Sequence, residues 1–210
     1  MLVTQRLQAQ RLIADTCASP AYVVSSLLAV QAQDLAAAKW AIGLRMADAT
    51  ALDSVVERTL AEGLILRTHV MRWTWQLVCP ADLRWLLSLV APRLFRKYAR
   101  RHRDLGLDAA VFKRSRNVIE KVLADGDHLT RHELSAALAR VKVPSTGPCL
   151  SHLLARAELE GVICSGTPRG RIATYALLDH RAPAAGSVPA RDEALAELAR
   201  RYFQSRGPAT

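Results

Sequence analysis

The hydrophobic period of this chain changes from helical to extended near residue 64, and this change constrains the fold more than any other feature. Upstream, apolar residues recur at helical spacing, whereas Leu64–Val70 and Trp73–Val78 are rich in the β-branched and aromatic residues typical of strands. Because only a short turn separates the two segments, the sequence predicts a β-hairpin after a group of helices. Pro80 then opens an amphipathic helix that we expect to continue through Leu89.

Four helices are predicted before this hairpin. They are Gln5–Ala14, Pro20–Ala29, Leu35–Met46 and a helix that starts at Thr50 or Asp53 and ends before Gly63. Ser19 and Asp34 directly precede two of them and are residue types that cap helix N-termini.

The same order of elements returns further along the chain. We predict helices at Val118–Ala124, at Thr130–Val141 with a Thr130/Glu133 capping box, and at Cys149–Glu160, then strands at Gly161–Cys164 and Arg171–Leu178. Helices followed by a two-stranded wing are the pattern of winged-helix units. The sequence therefore predicts a mainly α fold with small β-hairpins, built from tandem winged-helix (helix-turn-helix) units. The third helix of the second unit is either a recognition helix or a helix buried against the first unit.

Composition shifts divide the chain further. We assign a first unit to 1–92, a basic connecting segment to 93–116, a second unit to 117–181, a Pro/Ala/Gly-rich linker to 182–190 and one more helix within 191–210. The apolar residues spaced to share one face of that helix are Leu195, Leu198, Ala199, Tyr202 and Phe203. Thr210 has the character of an N-cap, so we expect 191–210 to open a third, incomplete unit.

Cationic residues dominate one segment. The chain has 29 Lys and Arg against 19 Asp and Glu, a formal net charge of +10. Between Arg93 and Arg116, nine cationic residues face two acidic ones, so this window alone carries +7. Such a single-sign cluster is typical of proteins that bind a phosphate backbone. An acidic protein partner or a membrane surface is the alternative, although the segment lacks the Trp or Leu stripe of an interfacial helix.

We therefore expect double-stranded DNA as the partner. The candidate DNA-binding residues come from both hairpins, the basic segment and the third helix of the second unit: Arg67, Arg72, Arg96, Lys97, Arg100, Arg101, Arg103, Lys113, Arg114, Arg116, His152, Arg156, Arg169 and Arg171.

Several function classes lack their sequence signatures. Four scattered cysteines form no CxxC pair and have no His at ligand spacing, so neither disulfides nor zinc is expected. No apolar run approaches the roughly 20 residues of a membrane span, and the N-terminus lacks the apolar region of a signal peptide. There is no Gly-rich phosphate loop and no recognisable Ser/His/Asp set. We expect a cytoplasmic, nucleoid-associated protein without metal or cofactor.

Two glutamines, Gln31 and Gln33, follow the apolar run that begins at Leu27. A buried amide without a partner costs roughly 1–3 kcal/mol, so each must be hydrogen-bonded, solvated or directed at a ligand. In one interpretation the pair caps the C-terminus of a helix while Asp34 starts the next; in the other it faces a ligand.

Taken together, these segments resemble a tandem winged-helix family that includes bacterial DNA glycosylases. These enzymes remove bulky alkylated purines and unhook interstrand crosslinks. The founding members of the family confer resistance to azinomycin-type antibiotics. Residues 28–34 match the family's Gln-aliphatic-Gln motif, 66–72 and 77–83 its first hairpin and exit helix, 125–134 its second unit and 203–210 the opening of its third. The resemblance covers essentially the whole chain. It is weakest at 73–76, Trp-Thr-Trp-Gln, where family members usually carry Gly-Thr, an aliphatic residue and His.

The resemblance implies that Gln31 and Gln33 are catalytic residues and that the DNA is alkylated or crosslinked. A glutamine amide has no accessible pKa, so it can only orient water and stabilise charge through hydrogen bonds. This suits N7-alkylguanine, which is already cationic and departs without an acid. For the complete chain we expect a monomer. A non-catalytic winged-helix DNA-binding protein, such as a transcriptional regulator, is the alternative.

Overall fold

The computed structural model describes residues 1–13, 16–48, 52–184 and 186–208. Three positions predicted to be helix boundaries or caps, Ala14, Thr50 and Thr210, lie outside these ranges.

The first unit places its helices ahead of a hairpin, as predicted. Its elements are α1 (Leu2–Ala9), α2 (Pro20–Leu27), β1 (Val30–Gln31), α3 (Leu35–Gly43), α4 (Leu52–Ala61), β2 (Leu66–Arg72) and β3 (Thr74–Val78). The strands form an antiparallel sheet in the order β1-β3-β2. Both predicted caps are present, because Ser19 accepts a hydrogen bond from Tyr22 N–H and Asp34 accepts one from Ala37 N–H.

The helix predicted to reach Ala29 ends earlier. Leu28 has a φ of 69°, a left-handed backbone conformation that interrupts a right-handed helix. The next residues, Val30–Gln31, pair with β3 as an edge strand. The first interpretation of the glutamines, as caps at a helix C-terminus, is therefore wrong.

The helix predicted to end at Leu89 is instead a long helix, α5 (Pro80–Asp104). Pro92 lies inside it, and the buried face continues past this proline through Leu94 to His102. The first half of the basic segment is therefore helical. Within the described residues no helix, including this one of 25 residues, is apolar enough over a sufficient length to cross a membrane.

The second unit repeats the arrangement. It contains α6 (Ala109–Val122), β4 (Leu129–Thr130), α7 (Arg131–Arg140), α8 (Gly147–Leu159), β5 (Ile163–Ser165), β6 (Thr174–Leu177) and α9 (Leu178–Arg181). The order β4-β6-β5 is equivalent to that of the first sheet, and the predicted Thr130/Glu133 capping box is present. The helix predicted to begin at Val118 begins nine residues earlier, because Asp108 caps it by accepting a hydrogen bond from Val111 N–H.

The two units pack through equivalent parts. Strand β2 lies beside β5, where the backbone N–H of Arg67 donates to Ser165 Oγ across 2.9 Å. Helix α8 packs on β2, and one apolar core joins residues of β2 and α5 with Leu159, Cys164 and Leu178 of the second unit.

The last helix, α10 (Arg191–Arg206), packs on α1, α2 and α5 of the first unit. Its inward residues are Ala194, Leu198, Arg201 and Ser205, whereas Leu195, Tyr202 and Phe203 remain exposed. The predicted apolar face is therefore wrong in part, because the charged side chain of Arg201, and not the aromatic ones, faces the first unit. Arg201 bonds both carboxylate oxygens of Asp82 and the carbonyl of Ser25.

Candidate active site

The two glutamines of the motif lie on and just after β1, at the edge of the first sheet. Gln31 pairs with Gln76 of β3, and Ala32 N–H donates to the Trp75 carbonyl across 2.9 Å. Val30 and Ala32 are buried, whereas Gln31 and Gln33 are exposed. Because side chains alternate along an extended segment, the two amides project from the same side, toward solvent.

Arg67 of β2 holds the backbone of this segment. Its Nε donates to the Ala32 carbonyl at 2.9 Å, and its Nη2 donates to the Gln33 carbonyl at 3.2 Å. The guanidinium also lies 4.4 Å from the centre of the Trp75 ring, a cation–π contact. Burial lowers the pKa of Arg67 below its ordinary value. Two hydrogen bonds and one aromatic face thus fix the position of the motif.

Arg72 at the end of β2 contacts the first glutamine directly. Its Nη2 donates to Gln31 Oε1 across 2.8 Å. The pairing of β2 with β3 shifts register between His69 and Arg72, and the buried amide of Gln76 accepts a hydrogen bond from Met71 N–H within this irregularity. The irregular strand thus carries Arg72 where its side chain reaches across the sheet to Gln31.

A groove of about 710 Å³ opens beside this contact, between the end of β2, α5 and α10. Five cationic side chains line it: Arg72, Arg93, Arg96, Lys97 and Arg191. On α5 the spacing of Arg93, Arg96 and Lys97 places all three on one face, and Arg100 follows one turn later. Since Arg72 both lines the groove and bonds Gln31, this glutamine lies at the margin of a cationic surface, and Gln33 projects from the same side of the segment.

The remaining cations of the basic segment divide between two surfaces. Arg100, Arg101 and Arg103 are exposed on the C-terminal half of α5. Lys113, Arg114 and Arg116 are exposed on α6, where Lys113 and Arg116 line a separate cavity of about 440 Å³ with Phe95 and His102 of the opposite face of α5. The structure therefore does not bring all the predicted DNA-binding residues of this segment together.

Helix α8 is the third helix of the second unit, for which base recognition and burial against the first unit were the two interpretations. The structure agrees with burial against the first unit. Glu158 is 1% exposed and its carboxylate is hydrogen-bonded to His69 Nδ1 of β2. Arg156 stacks 3.6 Å from the Phe95 ring and bonds Glu160. His152 is half-buried near Trp73. Because these side chains hold the two units together, His152 and Arg156 do not lie on an open recognition surface.

A cluster of rings lies between the units, and no local pattern in the sequence indicates it. Trp73 stacks on Tyr98 with ring centres 4.1 Å apart, and His102 and His152 lie within 5.5 Å of the Trp73 ring. Burial lowers the pKa of His102 to about 4, helped by His152 and Arg156. The pKa of His152 is lowered as well, chiefly by burial. Both imidazoles are thus neutral at neutral pH.

The wing of the second unit carries the last two predicted contacts. Arg169 Nη1 donates to Glu133 Oε1 at 2.7 Å, and its other terminal nitrogen donates to the His128 carbonyl. Hydrogen bonds from Thr130 and Arg169 lower the pKa of Glu133 to about 2. Arg171 is exposed and lines a groove shared with Lys39 and Arg58 of the first unit. Among the described residues no group of three or more His, Cys, Asp and Glu side chains is placed to hold a metal ion.

Residues 24–210 match the model of the family described as DNA glycosylase AlkZ-like, and the chain belongs to this family. It is 31% identical to the interstrand DNA cross-link repair glycosylase of Streptomyces sahachiroi over 98% of this chain and 56% of that protein. The structure is similar to that of Streptomyces sahachiroi DNA glycosylase AlkZ, with a TM-score of 0.78, 29% identity and the same coverage of both chains. The chain thus spans about half the length of the relatives it matches.

Proposed function

We propose that this protein is a monofunctional DNA glycosylase that hydrolyses the N-glycosidic bond of bulky or cationic alkylated purines, such as N7-alkylguanine and purines in interstrand crosslinks. The observation that carries the proposal is the exposed pair Gln31 and Gln33, of which Gln31 bonds Arg72 at the margin of a groove lined by five cations. The cations supply sequence-independent attraction for DNA phosphates, and the amides supply fixed dipoles beside the bond that breaks. Membership of the glycosylase family supports the same function.

The chemistry matches what these residues offer. A neutral amide provides neither an acid nor a base at neutral pH, so it cannot protonate a departing base. An N7-alkylated guanine carries a positive charge already, and its departure leaves a neutral base. Such a substrate requires only that water and the developing charges be placed correctly, which hydrogen-bonding groups on a rigid sheet edge can do.

We propose double-stranded DNA, alkylated or crosslinked, as the partner, a monomer as the functional form and the nucleoid in the cytoplasm as the place of action. The five groove cations form the proposed DNA surface. Secondary candidates, which lie outside this groove, are Arg100, Arg101, Arg103, Lys113, Arg114, Arg116 and Arg171.

The alternative function is that of a regulator that reads DNA sequence. The helices that precede the two hairpins argue against it. In the first unit this helix is α4, where Asp53 and Glu57 both form ion pairs with Lys39. On α4 itself these two carboxylates stand against a single cation, Arg58, so the helix has no excess of positive charge to attract DNA phosphates. In the second unit it is α8, which is buried against β2. Both helices are therefore unsuited to base readout.

Release of free 7-methylguanine from a duplex with one N7-methylguanine tests the proposal. We expect the base to appear by mass spectrometry in proportion to abasic sites, and no base release from the unmodified duplex. Tight, sequence-dependent binding without base release would support the regulator instead.

A further inference from the structure

The hydrogen bonds at the two motif glutamines have a direction that their donors dictate. Gln31 Oε1 accepts from Arg72 Nη2 at 2.8 Å, and Gln33 Oε1 accepts from the backbone N–H of Trp75 at 3.3 Å. A guanidinium and a peptide N–H can only donate, so each contact must involve the oxygen of the amide and not its nitrogen. The orientation of both amides is therefore set by chemistry.

We infer that Gln31 and Gln33 face the substrate with their NH2 groups, as hydrogen-bond donors to the departing purine, and that Arg72 is the positioning residue that fixes the Gln31 amide. This inference rests on the proposed glycosylase function and adds the polarity of the site and the edge of the base that it recognises.

The reaction explains why donors are useful here. The C1′–N9 bond breaks and its electron pair passes to the purine, while water adds to C1′ and releases a proton to solvent. Electron density therefore rises on the base, whose O6 and N3 are acceptors when N7 is alkylated. N–H donors aimed at those atoms stabilise the transition state more than the ground state. Next to the cationic sugar an N–H dipole would be repelled, so the purine is the better match.

Arg72 differs from the other cations of the groove in its contact. Arg93, Arg96 and Lys97 project from α5 into the same groove and are suited to phosphates. Arg72 projects from the irregular end of β2 and forms a charge-assisted bond with an amide oxygen. Such a bond withdraws electron density from the amide and strengthens its N–H groups as donors.

Side-chain amide NMR tests the polarity without any reaction. We compare the Gln31 NH2 signals of the wild-type protein, Arg72→Met and the control Arg140→Met, which removes an exposed cation of α7. The Gln31 signals should move and the rotation of its NH2 should become faster in Arg72→Met alone, because the charged donor no longer polarises the amide. Unchanged Gln31 signals in Arg72→Met would overturn the inference even if the protein is a glycosylase.

Single-turnover kinetics at saturating protein tests the positioning role. We expect Arg72→Met to lower the excision rate about 10- to 100-fold, the scale of a misplaced catalytic group, with partial recovery in Arg72→Lys. Arg96→Met should weaken DNA binding, but it should lower the excision rate at saturating protein far less than Arg72→Met does. Arg72→Met should add nothing in a Gln31→Leu background. If Arg72→Met and Gln31→Leu lower the rate independently, so that their effects multiply, Arg72 does not act through Gln31. If Arg72→Met weakens only the affinity for DNA, Arg72 only binds phosphate. Absence of excision by the wild-type protein would refute the proposed function, while the NMR comparison would still decide the polarity.

Discussion

The guanidinium of Arg67 lies 4.4 Å from the centre of the Trp75 ring and donates hydrogen bonds to the carbonyl groups of Ala32 and Gln33. The side chain thus joins β2, β3 and the segment that carries both glutamines. Its planar fork suits two carbonyl acceptors and an aromatic face at once, a geometry that lysine cannot reproduce.

Arg67→Lys should therefore disturb the site more than the fold. We expect the free energy of unfolding to fall by about 1.5 kcal/mol, the scale of a hydrogen bond to a charged group, and the excision rate at saturating protein to fall at least tenfold. Urea unfolding and base release measure the two effects. The matched substitution Arg140→Lys, on an exposed surface, should change neither. Full activity in Arg67→Lys would show that the position of the motif does not depend on this side chain.

Affinity for DNA should depend on the groove cations in particular. The triple variant Arg93→Ala, Arg96→Ala and Lys97→Ala should weaken binding to all duplex sequences alike, and the salt dependence of log Kd should decrease by about 0.9 for each phosphate that the variant no longer neutralises. The control triple variant removes the cations of α6, Lys113, Arg114 and Arg116, and should have a smaller effect. Fluorescence anisotropy at several salt concentrations measures the affinity of both variants. A larger loss of affinity in the α6 variant would place the DNA on the α6 side.

Attachment of α10 should depend on one buried ion pair. Arg201 and Asp82 are 14% and 11% exposed, so Arg201→Met leaves a carboxylate largely buried without its partner. We expect a loss of about 3–5 kcal/mol in stability and rapid hydrogen exchange along α10. Arg200→Met, which removes an exposed pair with Glu197, should leave the stability nearly unchanged because solvent screens this pair. Persistent protection of α10 in Arg201→Met would mean that its apolar contacts suffice.

Stability should fall between pH 6.5 and about 4 because of His102. Its pKa is lowered to about 4 in the folded protein, so within this range the unfolded chain binds a proton that the folded chain does not. Protonation therefore favours the unfolded state as the pH falls. His102→Phe, a ring of similar size, should reduce this loss, which urea unfolding at pH 7 and pH 5 measures. An unaltered pH dependence in His102→Phe would contradict the neutral, buried imidazole.

Local sequence signals were sufficient for the order of the main helices and the two hairpins, but not for the short strands β1 and β4 or for α9. The switch of period at Leu64, the caps at Ser19, Asp34 and Thr130, and the two hairpins are each determined by neighbouring residues, and the structure confirms them. The end of α5 was missed because Pro92 is a helix-breaking signal, whereas the buried face that continues through Leu94 outweighs it.

Contacts between distant residues could not be predicted in this way. Glu158 and His69 are 89 positions apart, and nothing near either residue indicates that α8 is buried against β2. The contact of Arg72 with Gln31 depends on a register shift within the hairpin, which side-chain periodicity does not reveal. Gln31 and Gln33 themselves could be singled out, because two amides in an apolar segment require partners or a ligand.

Excision of N7-methylguanine by Gln33→Ala tests most directly whether the glutamine pair performs the chemistry. Gln33 is exposed, so its removal should leave the melting temperature and the Kd for the duplex nearly unchanged. The single-turnover rate should fall on the order of 10²–10³-fold, the loss typical of removing one preorganised dipole. Gln5→Ala, an exposed glutamine of α1, serves as the control. Wild-type excision by Gln33→Ala, or a loss that only follows a lower melting temperature, would contradict a catalytic role for the pair.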